Sequence, residues 1–316
     1  MENKVTNQLY KPSILSRPFV MVSVALFVCL LWGSAFPSIV ASYTLMNINT
    51  DDVSQVMLFA GLRFLISAIL IFVFAFATGK NMKIHFKGFK LIIILGLLQT
   101  FGQYIFFFLA LRTVHPANGS ILSSFGVFMT VIIAHFVYKT DRLTPKKIAG
   151  IVIGITGIII LNGGAAGVFS LTGEGFLLTS SFLGAISGIY TKKLTTSLSP
   201  YAIAAYQLLT GSLLLITIGL TTSTDLAFTF TPASSTLLLY LGFISAAAFT
   251  LYSALLKHNQ VSTVSVYKFS IPVFGVLLSF LFMQNTFDLR NVLAALIFVV
   301  IGIVLINVEG KNHTKG

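Results

Sequence analysis

The sequence predicts an all-α integral membrane fold, with ten transmembrane helices arranged as two inverted five-helix repeats. Three observations carry that prediction. Composition is the first: 56% of the 316 residues are hydrophobic and 9% are charged, and the mean hydropathy is +0.95. Soluble domains carry about 25% charged residues, so lipid is the solvent for most of this surface. The second is the presence of ten apolar runs separated by short polar turns. The third is internal repetition. Ser123 to Asn162 lies on Lys268 to Asn307 without a gap, 145 positions later, which brings Gly157 onto Gly302 and Asn162 onto Asn307. Two copies with an odd number of spans each must face opposite ways, the arrangement of many alternating-access carriers.

The runs fall at 19–42, 55–77, 90–111, 117–138, 147–161, 175–191, 202–221, 236–256, 261–283 and 291–308. Most reach the ~17–25 residues that a helix needs to cross hydrocarbon. The first follows a polar, basic tail, residues 1–18; with so many runs behind it, it reads as an uncleaved helix rather than a signal peptide. It holds the only tryptophan, Trp32, deep in the span, where it is either a cavity wall or a packing residue.

The second run carries Arg63 amid apolar neighbours. A cation in lipid is costly, so it either faces the central cavity or bonds carbonyls and polar side chains of a neighbouring helix. The third has Gln99 and Gln103 at i and i+4, on one helical face, lining the cavity or joining helices. The fourth holds Asn118 and Ser120, with His135 near its end, one turn from Lys139.

The fifth and sixth runs are short and carry glycine, so they are short spans or the halves of a re-entrant hairpin. Gly150, Gly154 and Gly157 in the fifth are spaced for close helix contact. Gln207 in the seventh, and Ser245 with Tyr252 in the eighth, add polar groups.

The ninth carries Lys268 four residues before Pro272. That proline has no N–H to give the carbonyl of residue 268 and crowds it, so a kink is expected there; Pro37 in the first run is the other kink candidate. Lys268 lies about 10 Å into the span at 1.5 Å per residue. It either anchors an anionic group or reaches back to the surface.

The loops give orientation. Sixteen of the 20 basic residues fall on the tails and alternate loops of one side; the other loops hold Arg112 and Arg290 with Asp51, Asp52, Glu174, Asp225 and Asp288. By the positive-inside rule both termini are cytoplasmic. The organisation is then a cytoplasmic tail (1–18), a first repeat (19–161), a Gly-rich hinge (162–174), a second repeat (175–308) and a cytoplasmic tail (309–316). The net charge of +12 is this topology signal, and no nucleic-acid partner is expected.

No acidic residue lies inside an apolar run, which leaves no carboxylate for a proton relay within the membrane. Cys29 is the only cysteine, so there is no internal disulfide or cysteine metal cluster. No phosphate-binding loop, dinucleotide fingerprint, metalloprotease motif or nucleophile elbow is present, so neither a cofactor nor a metal is expected.

The Leu31-Trp32-Gly33-Ser34-Ala35-Phe36-Pro37 stretch, Arg63-Phe64-Leu65, the segment from Ala110 through Asn162 and Pro272 together resemble the drug/metabolite transporter superfamily, in its ten-helix EamA-type branch. Two positions depart from that pattern: the turn glutamate is Asp141 in one half and Thr286 in the other, and Val127 stands where the fourth helix has a proline. The resemblance implies a multi-pass transporter of the cell membrane, not an enzyme, moving a small metabolite such as an amino acid, often outward. It also leaves room for a homodimer contact near the fifth and tenth helices. Arg63 and Lys268 without internal acids point to a zwitterionic or anionic solute bound by some of Lys268, Arg63, Gln99, Gln103, Trp32, Tyr252, Asn118 and Gln207. The alternative is an exporter of hydrophobic drugs or lipid-like compounds. An integral-membrane enzyme or receptor would need a catalytic pair or a sizeable soluble domain, and the short loops supply neither.

Overall fold

Proline divides this chain. Of its eight prolines, five occupy the first position of a helix, where the missing N–H has no intrahelical partner to lose and the fixed φ suits the turn. The computed structural model describes residues 13–111, 116–161, 170–222, 228–283 and 289–308, and among these it contains helices and no strand. The helices are α1 (Pro18–Leu45), α2 (Val53–Ala77), α3 (86–111), α4 (Pro116–Val137), α5 (Pro145–Leu161), α6 (171–194), α7 (Pro200–Thr222), α8 (Pro232–His258), α9 (261–283) and α10 (Leu289–Val308). Of the expected tails and hinge, residues 1–12, 162–169 and 309–316 lie outside the described residues.

Among the described residues, α1, α2, α3, α7, α8, α9 and α10 are each long and apolar enough to cross a membrane. Of the other three, α5 is shorter, α6 carries Glu174, Lys192 and Lys193, and α4 is apolar over Leu122–Val137. The 17 residues of α5 still rise about 26 Å, close to the thickness of the hydrocarbon core.

Three helices are irregular. In α3 the α-helical Phe86–Leu95 passes through a π-helical Gly96–Gly102 into Gln103–Leu111. In α6 a π turn, Leu171–Gly175, precedes Phe176–Leu194. In α9 the α-helical Val261–Ser265 tightens to 3₁₀ at Val266–Phe269, then resumes at Ser270–Met283. Side chains close several ends: Asp52 caps α2 by accepting from the Ser54 N–H at 2.9 Å, and Thr231 and Ser234 form a reciprocal capping box on α8.

The two halves are packed alike. α2 lies along α7, and α5 along α10. α1 packs on α8 and α9, while its counterpart α6 packs on α3 and α4. Each of these contacts thus has its counterpart when the two repeats are exchanged, as inverted repeats require. The Gly150 to Gly157 stripe is used inside the chain: a Cβ on Gly150 would sit 2.7 Å from the Gly302 carbonyl, and one on Gly302 would sit 2.6 Å from the Gly150 carbonyl. α5 runs chiefly along α10 while α6 runs along α3 and α4, as two separate helices, so the hairpin reading of the short runs does not describe this fold.

The turns sort onto two faces. On one, Asn259 Nδ2 donates to the Leu15 carbonyl at 3.0 Å, Gln260 Nε2 to the Thr140 carbonyl at 2.6 Å and Ser199 Oγ to the Asn81 carbonyl at 2.5 Å. This face carries Lys80, Lys83, Lys139, Arg142 and Lys193 and is called the basic face. On the opposite, acidic face, beside Asp51 and Asp52, Asn47 Nδ2 donates to Thr229 Oγ1 at 3.1 Å and the Thr229 N–H to the Met46 carbonyl at 3.1 Å.

Candidate functional site

Pro272 sets the geometry of Lys268. The 3₁₀ stretch ends just before the proline, and the Ser270 N–H turns back to the Tyr267 and Lys268 carbonyls. The Lys268 ammonium then lies 4.3 Å from the Tyr252 ring centroid and 5.5 Å from that of Trp32. Each such contact stabilises a cation by about 0.5–2 kcal/mol, more as water is excluded. Lys268 is half-buried, and among the described residues no carboxylate pairs with it.

α8 supplies the wall. Ser245, Phe249 and Tyr252 recur at i, i+4 and i+7 and so share one face. Tyr252 Oη lies 3.1 Å from Ser265 Oγ, and a Cβ on Gly188 of α6 would lie 3.4 Å from that hydroxyl. Trp32 of α1 meets Tyr252 edge-on at 5.5 Å and Phe249 at 5.7 Å. Phe249 continues to Phe64 at 6.3 Å, and Phe64 to Tyr104 at 4.7 Å. Tyr104 is followed by Phe108 at 5.9 Å.

Arg63 lies against the middle of this chain of rings, at Phe64. It is 5% exposed. Its Nε donates to Ser245 Oγ at 2.9 Å, and its guanidinium carbon lies 5.0 Å from the Phe64 centroid. Ser245 passes its own proton to the Leu241 carbonyl at 2.9 Å. Two cations, Lys268 of α9 and Arg63 of α2, therefore lie against one continuous row of rings from α1, α2, α3 and α8.

The other candidates are placed elsewhere. Gln207 is 1% exposed and its Oε1 accepts from Thr100 Oγ1 at 2.5 Å, joining α7 to the π segment of α3. The Gln103 amide lies flat on α6, its atoms 3.1 Å from where a Gly184 Cβ would stand, while Ser180 Oγ donates to the Gln103 carbonyl at 2.8 Å. Gln99 is buried at 7% exposure. The Asn118 side chain lies outside the described residues. Pro37 sits inside α1, bracketed by serines whose hydroxyls turn back onto helix carbonyls: Ser34 to Leu31, Ser38 to Ser34 and Ser42 to Ser38.

Sequence reasoning missed two things. Phe64 and Phe249 link the cations, and the spacing Ser245, Phe249, Tyr252 was the available signal. The second is Asp141, which reads as a turn residue but is 1% exposed. Beside it, burial and the Asp141 carboxylate push the Tyr138 phenol up to about 12. Tyr138 therefore stays a donor across physiological pH, and it gives its proton to the Ile189 carbonyl at 2.9 Å.

A multi-pass membrane protein of two inverted helical halves that enclose the cations Arg63 and Lys268 is of the transporter class. The chain belongs to the EamA-like transporter family, whose sequence model matches residues 19–163 and 171–308, and so to the drug/metabolite transporters. It is 25% identical over 291 residues to YvbV, an uncharacterized transporter of Bacillus subtilis (strain 168), covering 90% of each chain. It is 28% identical over 266 residues to a protein of Salmonella typhimurium named a probable amino-acid metabolite efflux pump, covering 80% of this chain and 83% of that one. A solved crystal structure shares the fold with a TM-score of 0.76 at 16% identity, over 92% of this chain and 97% of that chain.

Proposed function

We propose that this transporter is a secondary carrier of the cell membrane that moves a small zwitterionic or anionic metabolite, an amino acid or a close relative, by alternating access. One observation carries the reading: inside the bundle the Lys268 ammonium is held over Trp32 and Tyr252, and among the described residues it pairs with no carboxylate. A buried cation of this kind is completed by an anionic ligand, and the rings beside it offer an apolar surface to the rest of the solute. Arg63, against Phe64 further along the rings, is the second cation in reach. The name borne by the Salmonella relative supports an amino-acid metabolite, with export as the direction. The two repeats, 19–161 and 175–308 about the hinge 162–174, are the bodies that rock, and both termini are cytoplasmic.

The test is uptake and binding in reconstituted vesicles, comparing amino acids with hydrophobic cations, with and without a pH gradient. Lys268→Ala is expected to lower apparent affinity for the amino acid by about tenfold, equivalent to about 1.4 kcal/mol, with an unchanged melting temperature. Unaltered affinity would remove Lys268 from the site. The aromatic chain itself favours a second reading, an exporter of hydrophobic compounds. Competition by hydrophobic cations that survives Lys268→Ala would select it.

A further inference from the structure

Asp141, in the turn between α4 and α5, and Lys147 in α5 form an ion pair at 2.7 Å with side-chain exposures of 2% and 5%. The third member comes from the other half. Lys147 Nζ donates to Ser262 Oγ at 2.9 Å, the Ser262 N–H donates to Asp141 Oδ2 at 2.9 Å, and the Ser262 hydroxyl donates to Oδ1. Both oxygens of a buried carboxylate are thus satisfied across the seam between the repeats, at the start of α9. Gln260 to the Thr140 carbonyl at 2.6 Å and Tyr138 to the Ile189 carbonyl at 2.9 Å cross the same seam. Tyr138, Thr140, Asp141 and Gln260 wall a polar hollow of about 220 Å³ that is also lined by Lys192 and His258.

The repeat offers a comparison within the chain. In the register of 145, α4 begins at Pro116 where α9 begins at Val261, so the helices obey it. It pairs Asp141 with Thr286, Lys147 with Val292 and Ser262 with Ala117. Thr286 and the Ala117 side chain lie outside the described residues, yet threonine, valine and alanine hold no charge wherever they stand. The aligned positions of the other repeat therefore carry no ionisable side chain.

We propose that Asp141, Lys147 and Ser262 form a charge latch that holds the basic face shut, and that a latch with no charge at the aligned positions of the other repeat biases the resting carrier toward the conformation closed on the basic face. A buried pair is costly to break one partner at a time, because the survivor keeps its charge without compensation. Parting the two halves returns both groups to water. Neutralising one partner therefore penalises the closed conformation and favours the open one. The inference rests on the transport reading.

The test places nitroxides on the exposed Lys139 and Lys257 as K139C and K257C, with Cys29→Ser, and reads their distance by pulsed dipolar spectroscopy in nanodiscs without solute. The parent should show one dominant short distance. Asp141→Asn should raise the ratio of a longer-distance population by about tenfold or more. Ser262→Ala, which keeps the ion pair, should move it the same way by less, and it decides the matter if Asp141→Asn does not fold. Thr286→Ala should change nothing. Unmoved distances in the folded latch variants, or an equal shift in Thr286→Ala, would overturn the latch. Distances report the gate whether or not solute moves. An unmoved gate in a protein that transports tells against the latch alone, and a gate that opens in a protein that carries no tested solute tells against the transport reading alone.

Discussion

Arg63 and Lys268 are both cations within apolar runs, and the fold treats them differently. Lys268 is half-buried over two rings, whereas Arg63 is 5% exposed and tied through Nε to Ser245. Ser245→Ala removes the acceptor and leaves a buried guanidinium N–H unmatched, at a cost of about 1–3 kcal/mol. The Leu241 carbonyl loses only a second bond. Thermal unfolding in detergent should show the loss, and Thr217→Ala, an exposed hydroxyl bonded to its own helix, should show almost none. No loss in Ser245→Ala would mean that Arg63 finds other partners and is free to serve the solute path. Charge inside an apolar run is loud in a sequence, which is why these two residues were legible. Quieter roles were not. His135 accepts the Leu143 N–H on Nδ1 at 3.0 Å and so braces the α4–α5 turn, but a histidine at a helix end has many uses. Asp141 lies in a basic loop, where an acid looks solvated, and only the fold brings Ser262 and Lys147 onto it.

At the scale of elements, the ten helices were legible because proline and apolar length both act locally. The π segment of α3 and the 3₁₀ stretch of α9 were less so. Pro272 announced a disturbance in α9 but not its form, and nothing in Gly96–Gly102 distinguishes a wide turn from an ordinary one, since the choice follows packing on α7. The glycines of α5 announced close contact without naming the partner, which is α10. With the Gly150 and Gly302 backbones within a Cβ clash of each other, 2.6 and 2.7 Å, Gly302→Ala must push the two helices apart. Overpacking of that kind costs about 1–3 kcal/mol. Gly175→Ala is the control, because its new methyl group would meet nothing nearer than 3.8 Å. Melting of the purified protein should separate them, with Gly302→Ala clearly lowered and Gly175→Ala close to the parent. Equal melting would mean that α5 and α10 are not tightly apposed.

For the whole molecule, the sequence's two independent signals, repetition and loop charge, lead to the same symmetry. The repeat register places α1 against α6 and α2 against α7. The packing obeys it: α1 on α8 and α9 mirrors α6 on α3 and α4. Charge then chooses the orientation of that symmetric body. Lys80, Lys83, Lys139, Arg142 and Lys193, from the basic alternate loops, stand on the basic face, and translocating such short basic loops is strongly disfavoured, so this face should remain cytoplasmic. Single cysteines at the exposed Thr50 and Lys139 sample the two faces, and Cys29 is buried and silent. In intact cells a membrane-impermeant maleimide should label Thr50→Cys at once and Lys139→Cys only after permeabilisation. Both sites labelling from the same side would break the inverted arrangement, and with it the argument that a latch on one face has an uncharged counterpart on the other. Reversed labelling would keep the symmetry and move the latch to the outside, so that the resting carrier would then open toward the cytoplasm.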